Sequence, residues 1–376
     1  MQIKSIESFV LSDKLKESFY FSQWEYSERK ICIVKITTTS GHVGWGEGYG
    51  PAAVIKAEVE HLAQFIIGMN PLESETIWSV MYRRTLDYAR RGVLVSAISA
   101  IDVALWDLKG KILNQPVYML LGGKMRDKII PYATGLYFTK CNNLADKLCD
   151  EAKLYVDMGF KAIKMKVGLG INQDIAIVER VRNTIGDNIE LMVDSNHAYN
   201  LREAVQLANA IEKYNIGWFE EPISPEFYEQ YSELRSKTNI PIAGGECEYL
   251  KYGFKTLLES KSVDIIQPDI CGTGGLSEAK KIATLASVFG VEVVPHSWGT
   301  GIALSAAAHF ITNLDHVPGR LNSKTCMMEY DRSENGLREE LTVNSIKFED
   351  GIITLGDKPG LGFEVNEEAL HKYMLK

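Results

Sequence analysis

The chain has 376 residues, too many for one small core, and its 45% hydrophobic and 24% charged content describes an ordinary globular protein of two domains. A net charge of −8, with lysines and arginines scattered instead of striped, argues against nucleic acid, so an anionic substrate would need local positive charge. No run of 18 apolar residues predicts a membrane span, MQIKSIESFVL lacks the apolar core of a signal peptide, and the six cysteines form no CxxC pair; reduced thiols in the cytoplasm are expected.

Residues 3–11 read as a strand. The aromatic and polar stretch from Leu15 to Lys30, which includes Trp24, reads as a surface loop that closes over a site. ICIVKITTTSG and HVGWGEG form a hairpin with SG at its turn, and GWGEGYGP reads as a tight loop without the order of a phosphate-binding motif. Three helices follow, the clearest being LVSAISAIDVALWDLKGKIL, where Ala97, Ala100, Ile101, Ala104 and Leu108 share one face. Asp102 and Asp107 on this helix are assigned to its surface or to structural hydrogen bonds. Pro116 and Gly122–Gly123 close a first domain at residue 125.

KIIPYATGL then opens a barrel of alternating strands and helices over residues 126–350. Asp194, Glu220 and Glu246 end three apolar, β-branched runs at equal intervals of 26 residues, about the length of one βα unit. Three carboxylates aimed into one cavity call for a hard cation, Mg²⁺ first and Mn²⁺ as a substitute. Lys164 and Lys166 are i and i+2 on the preceding strand, so both point to one face. Further strand ends carry Asp269, His296 with Trp298 two residues on, and Glu329. Polar residues at the C-terminal ends of several strands are where a barrel keeps its active site. Asn196 shares the direction of Asp194 and would complete the metal shell or bind substrate, whereas Glu221 alternates away from Glu220 and Glu248 lies farther into its loop. GGLSEAKK after Asp269 reads either as an anion-binding helix start or as a turn built on Gly274 and Gly275.

Such a site suits removal of a proton α to a carboxylate, with fixed positive charge where negative charge develops. Lys166 fits the base, its pKa lowered by Lys164 beside it. His296 fits a second acid/base on the other side of the α-carbon, oriented by Asp269.

The motifs KxK at 164–166, DxN at 194–196, WFEEP at 218–222, GGE at 244–246, QPD at 267–269 and PHSWG at 295–299 resemble the mandelate racemase subgroup of the enolase superfamily. The resemblance spans nearly the whole chain. It implies an α/β fold: a modified (β/α)7β TIM-like barrel with an α+β capping domain of residues 1–125, completed by 351–376, and assembly as a dimer or octamer. It also implies Lys166 and His296 as acid/base residues, Lys164 as companion, Asp269 behind His296, and Asp194, Glu220 and Glu246 as Mg²⁺ ligands. Glu329 takes the place of the strand-eight acid, with Asp331 as its competitor, and Asn196, Trp298 and Trp24 face substrate. RRGVLVSAISAIDVALWDLKGK, IIQPDICGTGG and MEYDRSEN resemble galactarate cycloisomerase and acid-sugar dehydratases of that subgroup, which implies a small anionic substrate. Dehydration, cycloisomerisation and racemisation need the same residues, so the motifs leave all three open. A hydrolase would favour histidine ligands, and a non-catalytic binding protein would not need the full set.

Overall fold

A computed structural model of the chain describes residues 1–316, 321, 326–344 and 346–375. Strands β1 (Ile3–Phe21), β2 (Trp24–Thr38) and β3 (Val43–Gly48) form an antiparallel sheet. Helices α1 (Ala52–Ile66), α2 (Ser74–Thr85) and α3 (Val93–Leu113) pack on it, followed by the short α4 (Val117–Leu121). Cys32, Val34 and Ile36 alternate along β2 and meet Ile55, Leu62 and Ile98 of the helices in one apolar cluster. The glycine-rich stretch is mostly strand and only Tyr49–Pro51 leaves it, a correction to the tight loop expected there. A Cβ on Gly44 or Gly46 would lie 2.2 or 2.1 Å from the carbonyl oxygen of Ala104 or Ala100, so these glycines let β3 rest directly on α3.

The segment from Leu15 to Lys30 is also not a loop. It is the far end of the β1–β2 hairpin, turning at Ser22–Gln23, with a bulge between Lys14 and Phe19. Phe19 faces Tyr26 and Phe21 faces Trp24 across the strands, and the backbones of Tyr20 and Phe138 exchange hydrogen bonds of 2.7 and 2.9 Å. The arm is therefore stitched to the loop after the first barrel strand.

The barrel runs β4 (Ile130–Thr134), α5 (Leu144–Asp157), β5 (Ala162–Lys166), α6 (Ile171–Ile185), β6 (Glu190–Asp194), α7 (Leu201–Ile211) and β7 (Ile216–Glu220). It continues with α8 (Tyr228–Arg235), β8 (Ile242–Gly244), α9 (Leu250–Glu259), β9 (Ile265–Ile266), α10 (Gly275–Phe289), β10 (Glu292–Val293), α11 (Gly301–Thr312) and β11 (Met327–Asp331). The parallel order is β10-β9-β8-β7-β6-β5-β4-β11. Seven strands are each followed by a barrel helix of eight residues or more, and the eighth by only the five-residue helix Gly336–Glu340. Tyr132, Ala162, Met192, Trp218, Ala243, Ile265, Val294 and Met327 form one buried cluster, one from each strand or its immediate continuation. This is an inward-facing layer, and it sets the parity of every residue above it. Lys324 and Thr325, at the head of the segment expected to lead into Glu329, lie outside the described residues, as does Ser345 at the head of the tail.

The tail holds α12 (Gly336–Glu340), β12 (Thr342–Val343), β13 (Lys347–Glu349), β14 (Ile352–Thr354), β15 (Glu364–Val365) and α13 (Glu367–Tyr373). The β13–β14 hairpin covers the N-terminal end of the barrel, where Ile129 and Ile353 exchange backbone hydrogen bonds of 3.1 and 2.9 Å. Beyond α13, the Leu375 N–H donates to Val10 O of β1 at 2.9 Å, so the chain end returns to the N-terminal sheet.

Two buried acids fasten the N-terminal region to the barrel, and a third ties it to the tail. Glu47 on β3 accepts from the Thr300 N–H (3.0 Å) and the Ala303 N–H (3.3 Å) at the start of α11. Asp102 on α3 accepts from the Ser277 N–H (3.0 Å) and hydroxyl (2.6 Å) at the start of α10. Asp107 accepts from the Trp45 N–H (3.0 Å) and the Leu361 N–H (2.9 Å). Asp102 and Asp107 are thus structural hydrogen-bond acceptors, and neither lies on a helix surface. Of the two readings of GGLSEAKK, the turn holds, because the helix start is filled by the chain's own Asp102.

Burial pushes Glu47 and Asp102 each up to about 7, despite the donors that favour the charged form. The folded chain then binds a proton that the unfolded chain has released between pH 4.5 and 7. Stability is therefore lost as pH rises through that window. We expect Glu47→Gln to gain on the parent chain in denaturation midpoint between pH 5 and pH 8. An unchanged difference at the two pH values would mean that Glu47 is ionised throughout.

Candidate active site

The side chains two residues above the inward layer are Thr134, Lys164, Asp194, Glu220, Gln267, His296 and Glu329; Thr134, Lys164, His296 and Glu329 line one chamber, and Asp194, Glu220 and Gln267 bond to one another's neighbours just behind it. Glu246 needs help. It lies three residues beyond the inward-facing Ala243, and the left-handed Gly245 (φ +122°) turns the chain so that Glu246 joins the same cavity. After β6, Asn196 (φ +41°) is held by its N–H donating to Asp194 Oδ1 at 2.9 Å, while the Ser195 hydroxyl donates to Glu221 O at 2.9 Å. These bonds tie the loops of β6 and β7 together. Left-handed non-glycine residues concentrated at one spot are a mark of functional sites.

The chamber holds about 170 Å³. Lys166 Nζ contacts Asp194 Oδ2 and lies 2.7 Å from Asn196 Oδ1. Lys164 Nζ contacts Glu220 Oε1 and is 2.9 Å from Glu329 Oε1. The second oxygen of Glu220 accepts from Gln267 Nε2 (2.6 Å) and Trp218 Nε1 (2.9 Å). On the other side of the strands that lead to Asp194, Glu220 and Glu246, His296 Nδ1 meets Asp269 Oδ2 at 2.6 Å, leaving Nε2 3.4 Å from Glu246 and 3.9 Å from Glu329. Asp269 is itself pinned by the Cys271 N–H at 2.7 Å.

Burial would draw the His296 ring down, but Glu246, Glu329 and Asp269 push it up to about 10. Burial would likewise lower Lys164, yet Glu220 and Glu329 hold it well above its ordinary range. Asp194 and Glu329 are each lowered to about 2, since Lys166 and Lys164 at the first, and Lys164 and His296 at the second, exceed the cost of burial.

Trp24, 41% exposed at the hairpin arm, and Trp298 both line the chamber. Trp298 donates its N–H to the Tyr137 hydroxyl at 2.9 Å and carries the Arg29 guanidinium 3.7 Å above its ring, so it serves as a fixed aromatic wall. Phe19, Phe21, Tyr26 and Tyr137 extend that wall. Asp331 stands apart from the chamber, buried against Arg29 and Arg338.

Sequence reasoning missed Thr134, Tyr137, Tyr49 and Gln267. Thr134 donates to Glu329 Oε1 at 2.6 Å, and the ring of Tyr49 lies 5.0 Å from that of His296. Two of them were available by counting. Thr134 ends the first barrel strand, and Gln267 shares the parity of Asp269 in the QPD motif.

Two family models cover the chain: "Mandelate racemase / muconate lactonizing enzyme, N-terminal domain" over residues 5–122 and "Enolase C-terminal domain-like" over 147–369. A D-galactarolactone cycloisomerase of Agrobacterium fabrum is 39% identical over 378 residues, covering 100% of this chain and 99% of the relative. An arabinonate dehydratase of Saccharolobus solfataricus is 36% identical, covering 92% and 91%. Among solved structures, the 3,6-anhydro-D-galactonate cycloisomerase of Zobellia galactanivorans superposes with a TM-score of 0.92 at 53% identity over 100% of both chains. A racemase of Streptomyces coelicolor with bound magnesium gives 0.89 at 25% identity over 99% of this chain and 100% of that one. No helix among the described residues is long and apolar enough to cross a membrane. The chain belongs to the mandelate racemase subgroup of the enolase superfamily.

Proposed function

We propose that the chain is a Mg²⁺-dependent cycloisomerase of a cyclic acid sugar, which removes the α-proton and expels a ring oxygen from the β-carbon. The observation that carries this reading is a chamber lined by Lys166, His296 and Glu246, with Asp269 behind His296 and with Asp194 and Glu220 against Lys166 and Lys164. The donor set fits a hard cation. Asp194, Glu220 and Glu246 are all-oxygen ligands, and with Glu221 and Glu329 nearby the buried acids outnumber Lys164, Lys166 and His296. Bound there, such a cation supplies positive charge to a substrate carboxylate and to the enediolate it becomes.

The chain's own residues do the rest. Lys166 takes the proton from C2. Lys164, held as an ammonium by its acid neighbours, is a fixed positive charge beneath the carboxylate. Electrons from the broken C2–H bond form C2=C3 as the C3–O ring bond breaks, and His296, held protonated, gives the departing oxygen its proton. The resulting enol tautomerises by taking a proton at C3, so the product is a keto acid isomeric with the substrate. Two features favour a cyclic monocarboxylate. The chamber has an aromatic wall, suited to the less hydroxylated face of a sugar ring. Among its described lining residues the cations are Lys164, Lys166 and His296, with no arginine set aside for a second carboxylate. The similarity to a 3,6-anhydro-D-galactonate cycloisomerase points the same way.

The test is a panel of 3,6-anhydrogalactonates, D-galactarolactone, D-galactonate and arabinonate incubated with Mg²⁺ in D₂O. Keto acid formed from an anhydro acid without loss of water, and abolished by EDTA, is expected. Keto acid only from open-chain acids would make the chain a dehydratase, and C2 exchange without net product would make it a racemase. An inert panel, or indifference to EDTA, would overturn the reading.

A further inference from the structure

The residues just past the three strand-end acids form a second constellation. His197, Glu221 and Cys247 come from the loops after β6, β7 and β8, and their ligand atoms all lie within 4.8 Å of one another. His197 Nε2 is 3.1 Å from Glu221 Oε2 and 3.7 Å from Cys247 Sγ. A tetrahedral ion with the usual Zn–N, Zn–O and Zn–S lengths sets those two edges at about 3.4 and about 3.6 Å. Both edges from His197 are thus close to those of a zinc tetrahedron, and the third lies within 4.8 Å.

A second observation is independent of the spacing. Glu221 is 1% exposed, and its Oε2 has no hydrogen-bond partner among the described residues; the contact with His197 Nε2 is not aligned as one. The other ring nitrogen, His197 Nδ1, is also buried without a partner. A buried carboxylate oxygen left in this way costs free energy unless a cation or donor meets it. The loop backbones hold the three side chains in place. The His197 N–H donates to Glu221 O at 2.8 Å, and the Glu221 N–H donates to Ala243 O at 3.0 Å. His197 and Cys247 both line the chamber, which gives an ion a way in.

We propose that His197, Glu221 and Cys247 form a second metal site, for a borderline-soft divalent cation such as Zn²⁺. Its thiolate and imidazole ligands distinguish it from the all-oxygen set proposed for Mg²⁺. Glu221 and Cys247 each lie one residue beyond a member of that set, and His197 lies three beyond, so an ion here adds charge beside Asn196 and Glu246.

The test uses the whole protein saturated with Mg²⁺ and titrated with Co²⁺, then with Zn²⁺. A near-ultraviolet thiolate-to-cobalt charge-transfer band is expected, lost when Zn²⁺ displaces the Co²⁺; an all-oxygen site gives no such band. Cys247→Ser abolishes the band and Cys141→Ser keeps it. His197→Gln weakens Co²⁺ binding at least about tenfold, a loss that even groups outside a ligand set can cause. His197→Gln keeps the test open if Cys247→Ser does not fold, which circular dichroism reports. No band in the parent chain, or the same band in folded Cys247→Ser, overturns the proposal. Because the readout is absorbance, it stands or falls apart from the choice of sugar substrate.

Discussion

Lys166→Ala should lower turnover by about 10²–10⁴-fold, the usual contribution of a positioned general base, and should also abolish solvent deuterium exchange at C2. His296→Asn should stop turnover to a similar degree but retain exchange, because it removes the acid that serves the leaving oxygen and leaves the base in place. The expected split follows from the geometry. Lys166 lies on the Asp194–Asn196 side, with the ring of Phe21 4.8 Å from its Nζ, whereas His296 lies under Tyr49 with Asp269 behind it. Steady-state assays with NMR-detected exchange, on variants whose Mg²⁺ affinity is measured by calorimetry, decide the matter. A reversed pattern would exchange the two roles and identify the opposite α-configuration in the substrate. Exchange surviving in both single variants would exclude both residues as the base.

Asp331→Ala should be the most destabilising single change near the site, at about 3–5 kcal/mol, and Glu329→Gln should cost little stability while removing activity. The two acids are two residues apart on β11 and are buried alike. Asp331 separates two guanidiniums, those of Arg29 and Arg338, whose side chains are each 5% exposed; its loss strands Arg29, while Arg338 keeps Glu339 at 2.9 Å. Glu329 shares Lys164 with Glu220 in a cluster rich in acids, so its loss leaves Lys164 paired. Urea denaturation midpoints compare the pair. Equal stability of the two variants would refute the assignment of Asp331 to the frame. The loss at Asp331 should also loosen the hairpin arm, since Arg29 ties β2 to β11 and stacks on Trp298.

The barrel was legible because its strands repeat one instruction. Each carries an apolar inward residue and, two positions on, a polar one, and Lys164, Asp194, Glu220, His296 and Glu329 all obey that parity. Glu246 breaks it and was found by spacing, although the reason it works is the left-handed turn at Gly245. Asp331 and Glu329 could not be separated from sequence, because what distinguishes them is Arg29, some 300 residues away in the chain. The hairpin arm was misread for a related reason. Phe19, Phe21, Trp24 and Tyr26 do alternate, but the bulge between Lys14 and Phe19 shifts the phase, and a strand rule applied through it sees noise. Gln267 was passed over because an amide draws less notice than the aspartate after it, yet it holds one oxygen of Glu220.

The acids at Glu47, Asp102 and Asp107 bear on how the chain can be made. All three belong to the first third of the sequence, and their partners at Thr300, Ser277 and Leu361 are synthesised long afterwards. An N-terminal portion emerging alone would hold Glu47 and Asp102 without the donors they meet in the finished fold, and Asp107 with only Trp45 and Lys111, so it cannot settle into its final packing during synthesis. The two regions are distinct in architecture but should mature as one cooperative unit, the first waiting for the last.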